Sequence, residues 1–272
     1  MFYKQLNGFR FIFVLMVMIQ HWMPQWVYHY THLGGIGVNL FFVLSGFLIG
    51  EILMREKEKT NSIAKSVKNF FMRRALRIFP VYYLTIAIYG VFFTTGGILI
   101  WNLTYTNNIL ECINVSRIPI EYSHLWSLCV EEQFYIFFPF LIFFTPRSKL
   151  KAVLIFAIVM SVLLRFGVTV AEYGDYNVIA SRFTLMCVDC LFAGAFLAYL
   201  KTYRNETLVK IFNKKGLILP AIIVVAILHL VVRIYGTDLI YNTFFRFLSA
   251  MLGWLIIGYS VMVGFKGVLG RF

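Results

Sequence analysis

Long apolar stretches broken by short polar ones dominate this chain. No Asp, Glu, Lys or Arg occurs between Arg10 and Glu51, nor between Arg77 and Glu111. A helix crossing a bilayer core needs about 20 mainly apolar residues. The pattern predicts eight such spans, roughly 11–27, 36–54, 79–99, 133–146, 150–170, 183–200, 217–233 and 245–265. Several contain Pro or Gly, which a helical bundle tolerates where neighbours satisfy the freed backbone groups. The stretch after Arg10 is apolar enough for a secretory signal, but bulky Trp22, Trp26 and Tyr28 stand where a small-residue cleavage site belongs, so it reads as the first helix.

Composition agrees with lipid as the solvent. The 272 residues are 60% hydrophobic and 14% charged, against about 25% charged in a soluble domain. Lys and Arg fall in alternate loops: Lys4 and Arg10, Arg55 to Arg77, Arg147 to Lys151, Lys201 to Lys215, then Lys266 and Arg271. The opposite loops hold Glu111, Glu121, Asp175 and Asp238. This is the positive-inside distribution for an all-α polytopic membrane protein of about eight transmembrane helices with both termini cytoplasmic. The net charge of +13 is then a topology signal, helped by attraction to anionic membrane lipid, and needs no nucleic-acid partner. The four cysteines read as packing residues: Cys187 and Cys190 lie in an apolar segment and Cys112 has no evident outer partner.

Ionisable groups within or beside spans are costly and therefore functional candidates. His21, one helix length after Arg10, reads either as an interfacial side chain or as a general base, since neutral imidazole accepts a proton near neutral pH. Arg10 by itself reads as a positive-inside residue at a helix start. Glu131 and Glu132, in HLWSLCVEEQFY at 124–135, follow Ser127, a candidate N-cap, and early-turn carboxylates are favoured there. Adjacent helical residues diverge by about 100°, so capping accounts for one of the two. The other is expected to pair with a buried arginine such as Arg165 or Arg182, or to orient His21. Arg182 and Asp189 could neutralise each other within the bundle. His124, Trp126 and Tyr135, flanking the carboxylates, read as interface anchors.

In FFMRRALRIFPVYY, residues 70–83, Arg73, Arg74 and Arg77 share one broad helical face, placed at the cytoplasmic surface. Such a face suits lipid phosphate, and equally a multiply phosphorylated cytosolic donor gripped by guanidinium forks. Pro80 is expected to kink or restart the helix. The glycines of GIGVNLFFVLSGFLIG, residues 35–50, suit close helix contacts, and Ser45 reads as a contact hydroxyl.

Taken in order, these segments resemble the integral-membrane acyltransferase-3 family. The resemblance rests on LNGFR with Arg10, then His21, GVNLFFVLSGFLI at 37–49, RRALRIFPVYY at 73–83 and HLWSLCVEEQFYIFFP at 124–139, with a weaker match in SRFTLMCVDCLFAGAFLA at 181–198. It implies an enzyme of the bacterial inner membrane. That enzyme moves an acetyl or other short acyl group from a cytosolic coenzyme A thioester to a hydroxyl of a cell-envelope or exported carbohydrate. It implies that His21 is the catalytic histidine with Arg10 nearby, that Arg73, Arg74 and Arg77 attend the acyl-CoA donor, and that Glu131 and Glu132 are polar groups of the core. No tightly bound cofactor and no metal are implied.

Family members usually continue for two more helices, whereas this chain stops at GVLGRF, residues 267–272. Residues 1–272 are therefore expected to form one acyltransferase-like domain short of the last two helices, with a C-terminal helper chain as one expected partner. Two alternatives stay open at this point. One is an inactive or partner-dependent remnant of such an enzyme. The other is a proton-coupled transporter using His21, Glu131 and Glu132 as a relay, although no paired repeat for alternating access is evident.

Overall fold

A computed structural model describes residues 3–22, 32–93, 97–114, 118–213 and 215–265. Every regular element among them is helical. In chain order these are α1 (Lys4–Trp22), α2 (Leu33–Lys59), α3 (Ile63–Phe92), the short α4 (Leu99–Leu103) and α5 (Asn107–Asn114), then a 3-10 turn (Ile120–Leu125) leading into α6 (Trp126–Phe144). They continue with α7 (Arg147–Ala171), the short α8 (Tyr176–Arg182), α9 (Thr184–Tyr203), α10 (Asn205–Asn213), α11 (Lys215–Tyr235) and α12 (Asp238–Met262). Among the described residues seven segments are long and apolar enough to cross a membrane, and they match the last seven of the predicted spans. The first predicted span falls on α1, and its continuation past Trp22 lies outside the described residues, as do Lys266 and Arg271. The chain is an all-α polytopic membrane protein.

Several helices begin earlier than the sequence reading, and two of these starts, those of α3 and α6, bear on the site. α3 begins at Ile63 rather than near 79, capped by Ser62, whose hydroxyl accepts from the Lys65 amide at 3.4 Å. It continues unbroken through Pro80. Proline forfeits one donor and crowds one carbonyl, and the helical pattern before it carries on past it. α6 begins at Trp126, entered from the 3-10 turn, and Ser127 lies inside the helix with its hydroxyl on His124 O at 3.3 Å. The N-cap is Leu125, which makes no side-chain cap bond, and no acidic residue lies in the first turn. Ser127 is therefore not the cap, and Glu131 and Glu132 are not cap carboxylates.

The centre of the bundle is the crossing of α2 and α9. A Cβ built on Gly46 would lie 1.9 Å from Leu191 O, and one on Gly194 would lie 1.9 Å from Val43 O. The two backbones touch, which only glycine permits. Helices α1, α6, α7 and α12 surround this pair. Arg165 of α7 is fully buried, pairs with Asp189 of α9 at 2.6 Å, and donates to the carbonyls of Met186 and Thr243. Asp189 thus belongs to Arg165, not to Arg182, which instead pairs with Glu111 of α5. The reason is local: Phe183, extended at φ −69° and ψ 130°, separates α8 from α9, so Arg182 and Asp189 do not share one continuous helix.

The ends of the bundle are chemically distinct. At one end Gln5 donates to Phe265 O at 3.0 Å and accepts from the Phe265 amide at 3.1 Å, while Tyr3 donates to Glu51 at 2.9 Å. The start of α1 and the ends of α2 and α12 therefore meet there. Lys57 joins them by donating to Ile142 O at 2.7 Å, near the end of α6. The other end gathers the last turn of α1, the first turns of α2, α6 and α12, and α8.

Candidate active site

Two polar regions occupy the interior, one at mid-depth and one at the α8 end. At mid-depth, Ser45 of α2 donates to Glu131 Oε1 at 2.8 Å and Tyr135 donates to Oε2 at 3.2 Å. Both glutamates are buried, at 8% and 7% exposure. Arg74 lies with its guanidinium carbon 5.0 Å from the centre of the Tyr135 ring, within cation–π range. Arg10, tethered to Asn7 at 3.0 Å, interacts electrostatically with Arg77, Arg74, Tyr135 and Glu131. Four elements, α1, α2, α3 and α6, thus bring two guanidiniums, Arg10 and Arg74, and two hydroxyls toward one carboxylate. Glu132, one residue on, turns toward Tyr82, Tyr105 and Arg74. Its Oε1 is buried without a hydrogen-bond partner among the described residues.

The predicted arginine face divides. Arg74 is partly buried, whereas Arg73 and Arg77 are exposed; Arg74 and Arg77 both act on Arg10. The cluster also lies deeper than a surface patch. From Ser66, which hydrogen-bonds Glu56 near the end of α2, helix rise carries Arg74 about 12 Å further along α3. There it stands level with Tyr135. Neither glutamate pairs with Arg165 or Arg182, because each of those is already held by another carboxylate.

At the α8 end a cavity of about 520 Å³ is lined by His21, His32, His124, Asn39, Trp126 and Arg246, among others. His21 is exposed at its rim and interacts electrostatically with His124. Arg246 is buried at 7% exposure and donates to Asn39 Oδ1 at 2.7 Å and Ser181 O at 2.5 Å. Behind it Asn39 donates to Ser249 Oγ at 3.2 Å, and Ser249 donates to Phe245 O at 2.9 Å. A hydroxyl has a single donor. The 2.9 Å contact between His229 Nε2 and Ser249 Oγ therefore places the proton on Nε2. Burial, with Arg233 and His229 nearby, lowers the His32 imidazole to about 4, so it is neutral at neutral pH.

The segment before α6 closes over this end. Tyr105 stacks on Tyr82 at 4.1 Å, and Gln133 donates to Tyr105 O at 2.7 Å and Asn108 Oδ1 at 2.9 Å. Burial pushes the Glu111 carboxyl above its ordinary range, against the pull of Arg182. His21 and Arg10 are on one helix but in different regions, separated by about 16 Å of rise. Sequence reasoning missed Asn39, His32 and Arg246. Arg246 had a readable signal, as the single charge in the predicted span 245–265. The partners of Asn39 depend on helix rotation, which no local pattern reports.

The sequence profile of the acyltransferase domain family matches residues 3–267. The chain belongs to this acyltransferase family. Over 170 residues this acyltransferase is 36% identical to the peptidoglycan O-acetyltransferase of Listeria monocytogenes, covering 55% of the chain and 26% of the relative. It is 35% identical over 187 residues to a Bacillus subtilis protein provisionally named a peptidoglycan O-acetyltransferase, covering 60% of the chain and 28% of the relative. A Staphylococcus aureus protein provisionally named an O-acetyltransferase is 35% identical over 150 residues, 49% of the chain and 24% of the relative. The matches thus span about a quarter of the length of each relative. No solved structure matches the chain. Family and long apolar helices together make it a multi-pass protein of the cell membrane.

Proposed function

We propose that this acyltransferase moves an acetyl or other short acyl group from cytosolic coenzyme A to a hydroxyl of an envelope carbohydrate. The observation that carries the reading is the convergence of Arg10 and Arg74 on buried Glu131 at mid-depth, beneath a cavity bordered by His21. The names of the relatives support the reaction class and the carbohydrate acceptor. Eight crossings with both termini cytoplasmic fit the seven long helices plus α1 and the meeting of Gln5 with Phe265. The arginine-bearing loops then face coenzyme A, and the His21 cavity faces the envelope. Residues 1–272 act in this reading as one acyltransferase-like domain.

In this scheme half-buried Arg74, with Arg73 and Arg77 at the surface, attracts donor phosphates, and the acyl-bearing arm runs inward past Glu131. Arg10, about 16 Å of helix rise from His21, lies on the donor side with Arg74 and attracts the donor's negative charge rather than touching the carbonyl under attack. His21 accepts the proton of the acceptor hydroxyl as its oxygen attacks the carbonyl; the C–S bond breaks, and the proton passes to the departing thiolate. Glu131, oriented by Ser45 and Tyr135, holds the arginines, and Glu132 lies beside it. The products are an O-acyl ester and free coenzyme A.

The test uses membranes containing the 272-residue chain, labelled acetyl-coenzyme A and an envelope carbohydrate fraction. Label is expected to enter the carbohydrate and to be lost in His21→Ala, with insertion unchanged. Transfer that is indifferent to His21→Ala removes His21 from the reaction, and no transfer in the parent chain overturns the function.

A further inference from the structure

Among the described residues, the α8 end of the bundle holds one more cation than its carboxylates pair with. Arg165 is bound to Asp189 and Arg182 to Glu111. Arg246 has no carboxylate within 4 Å among the described residues; its two hydrogen-bond acceptors there are the neutral oxygens of Asn39 and Ser181. Asp189, which acts on it electrostatically, is already held at 2.6 Å by Arg165. A guanidinium cannot shed its charge, and an unpaired buried charge is among the costliest features a bundle can retain. Arg246 is nevertheless locked in place, by Asn39 and by the face of Trp126, 5.9 Å from its guanidinium carbon. It also forms part of the cavity wall.

We infer that the cavity selects an acidic carbohydrate, one whose carboxylate pairs with Arg246 while a neighbouring hydroxyl comes to the rim at His21. The inference rests on the proposed acceptor role of the cavity and adds the charge class of the acceptor. Asn39 is the positioning residue: its carbonyl oxygen fixes the guanidinium, and its amide is in turn fixed by Ser249 and, through Ser249, by His229. A guanidinium held this way presents a preorganised fork to a planar carboxylate.

The experiment compares two probes on the purified chain in phosphatidylcholine nanodiscs. One is an oligosaccharide containing N-acetylmuramic acid, which carries a carboxylate. The other is a neutral N-acetylglucosamine oligosaccharide of the same length. Calorimetry is expected to give about tenfold tighter binding of the acidic probe, with the difference shrinking as salt is raised. Arg246→Gln should bring the two probes to equal affinity. Because Arg246 is buried and hydrogen-bonded, Asn39→Asp provides an independent check. It keeps the arginine and puts a carboxylate oxygen where Oδ1 already accepts, so the preference should vanish there too.

Equal binding of both probes to the parent chain overturns the inference, as does a preference that survives Asn39→Asp. Loss of the preference when phosphatidylglycerol is added to the discs assigns the guanidinium to lipid phosphate and overturns it as well. Acetyl transfer is read separately. Transfer to both oligosaccharides without preferential binding removes only the charge class, whereas preferential binding with no transfer removes the acceptor reading and leaves the anion site standing.

Discussion

Glu131 and Glu132 are neighbours in sequence with opposite circumstances. Glu131 accepts from Ser45 and Tyr135, with Arg74 and Arg10 acting on it from further off. Glu132 keeps a buried oxygen with no partner among the described residues. Glu131→Gln preserves shape but turns one acceptor into a donor facing hydroxyl donors, and it removes the charge that the arginines surround. Acetyl transfer is expected to fall by at least about tenfold, with a loss of about 2 kcal/mol in stability. Glu132→Gln removes a poorly satisfied carboxylate, so thermal unfolding in detergent should be unchanged or shifted upward. Equal destabilisation by the two changes would contradict the distinction.

His32 supplies a pH test. Its folded-state value near 4 lies below the ordinary 6.5, so the unfolded chain binds the extra proton first. Stability is therefore full above about pH 6.5 and declines as pH falls toward 4, by about 3 kcal/mol for this group. His32→Gln should flatten that decline, and an unchanged profile would mean that another group causes it. The glutamate pair, Arg10, His21 and Arg74 were legible because charge is rare in this chain and costly in lipid. Their partners were not. Ser45 read as a contact hydroxyl, and whether it meets a carboxylate is decided by the rotation of α2 against α6.

At the scale of the element, hydropathy located the spans but not where their helices start. The polar first half of α3 carries no span-like signal, yet Val67, Phe70, Phe71 and Ile78 recur at helical spacing and pack on the core. The 3-10 entry to α6 carries no capping side chain and therefore no local signal. The α2–α9 crossing was partly legible from the glycines of 35–50, while Gly194 was found only once the two helices were seen to touch. A side chain at that position meets backbone, which cannot rotate away. Gly194→Val is expected to abolish folded protein, by a cost well above the ~1–3 kcal/mol typical of overpacking. Gly167→Ala, on the exposed side of α7 with nothing within 4 Å, should be neutral or stabilising by about 1 kcal/mol. Detergent-solution gel filtration separates the two, and normal yield of Gly194→Val would contradict the backbone contact.

At the scale of the whole molecule the division of labour depends on sidedness. The proposed topology has the Gln5–Phe265 end in the cytoplasm and the His21 cavity outside, and the proposed chemistry needs that order because coenzyme A is cytosolic. Impermeant maleimide on single-cysteine variants reads it directly. Cys129, Cys187 and Cys190 are buried, so replacing half-buried Cys112 by serine gives a quiet background. Tyr173→Cys, at a site 73% exposed between α7 and α8, should label in intact cells. Asn61→Cys and Lys149→Cys, exposed at the opposite end, should label only after the membrane is opened. The reverse pattern would put His21, Arg246 and their cavity on the coenzyme A side and the arginine cluster toward the envelope. No outward acyl transfer of the kind proposed could then be built on these residues.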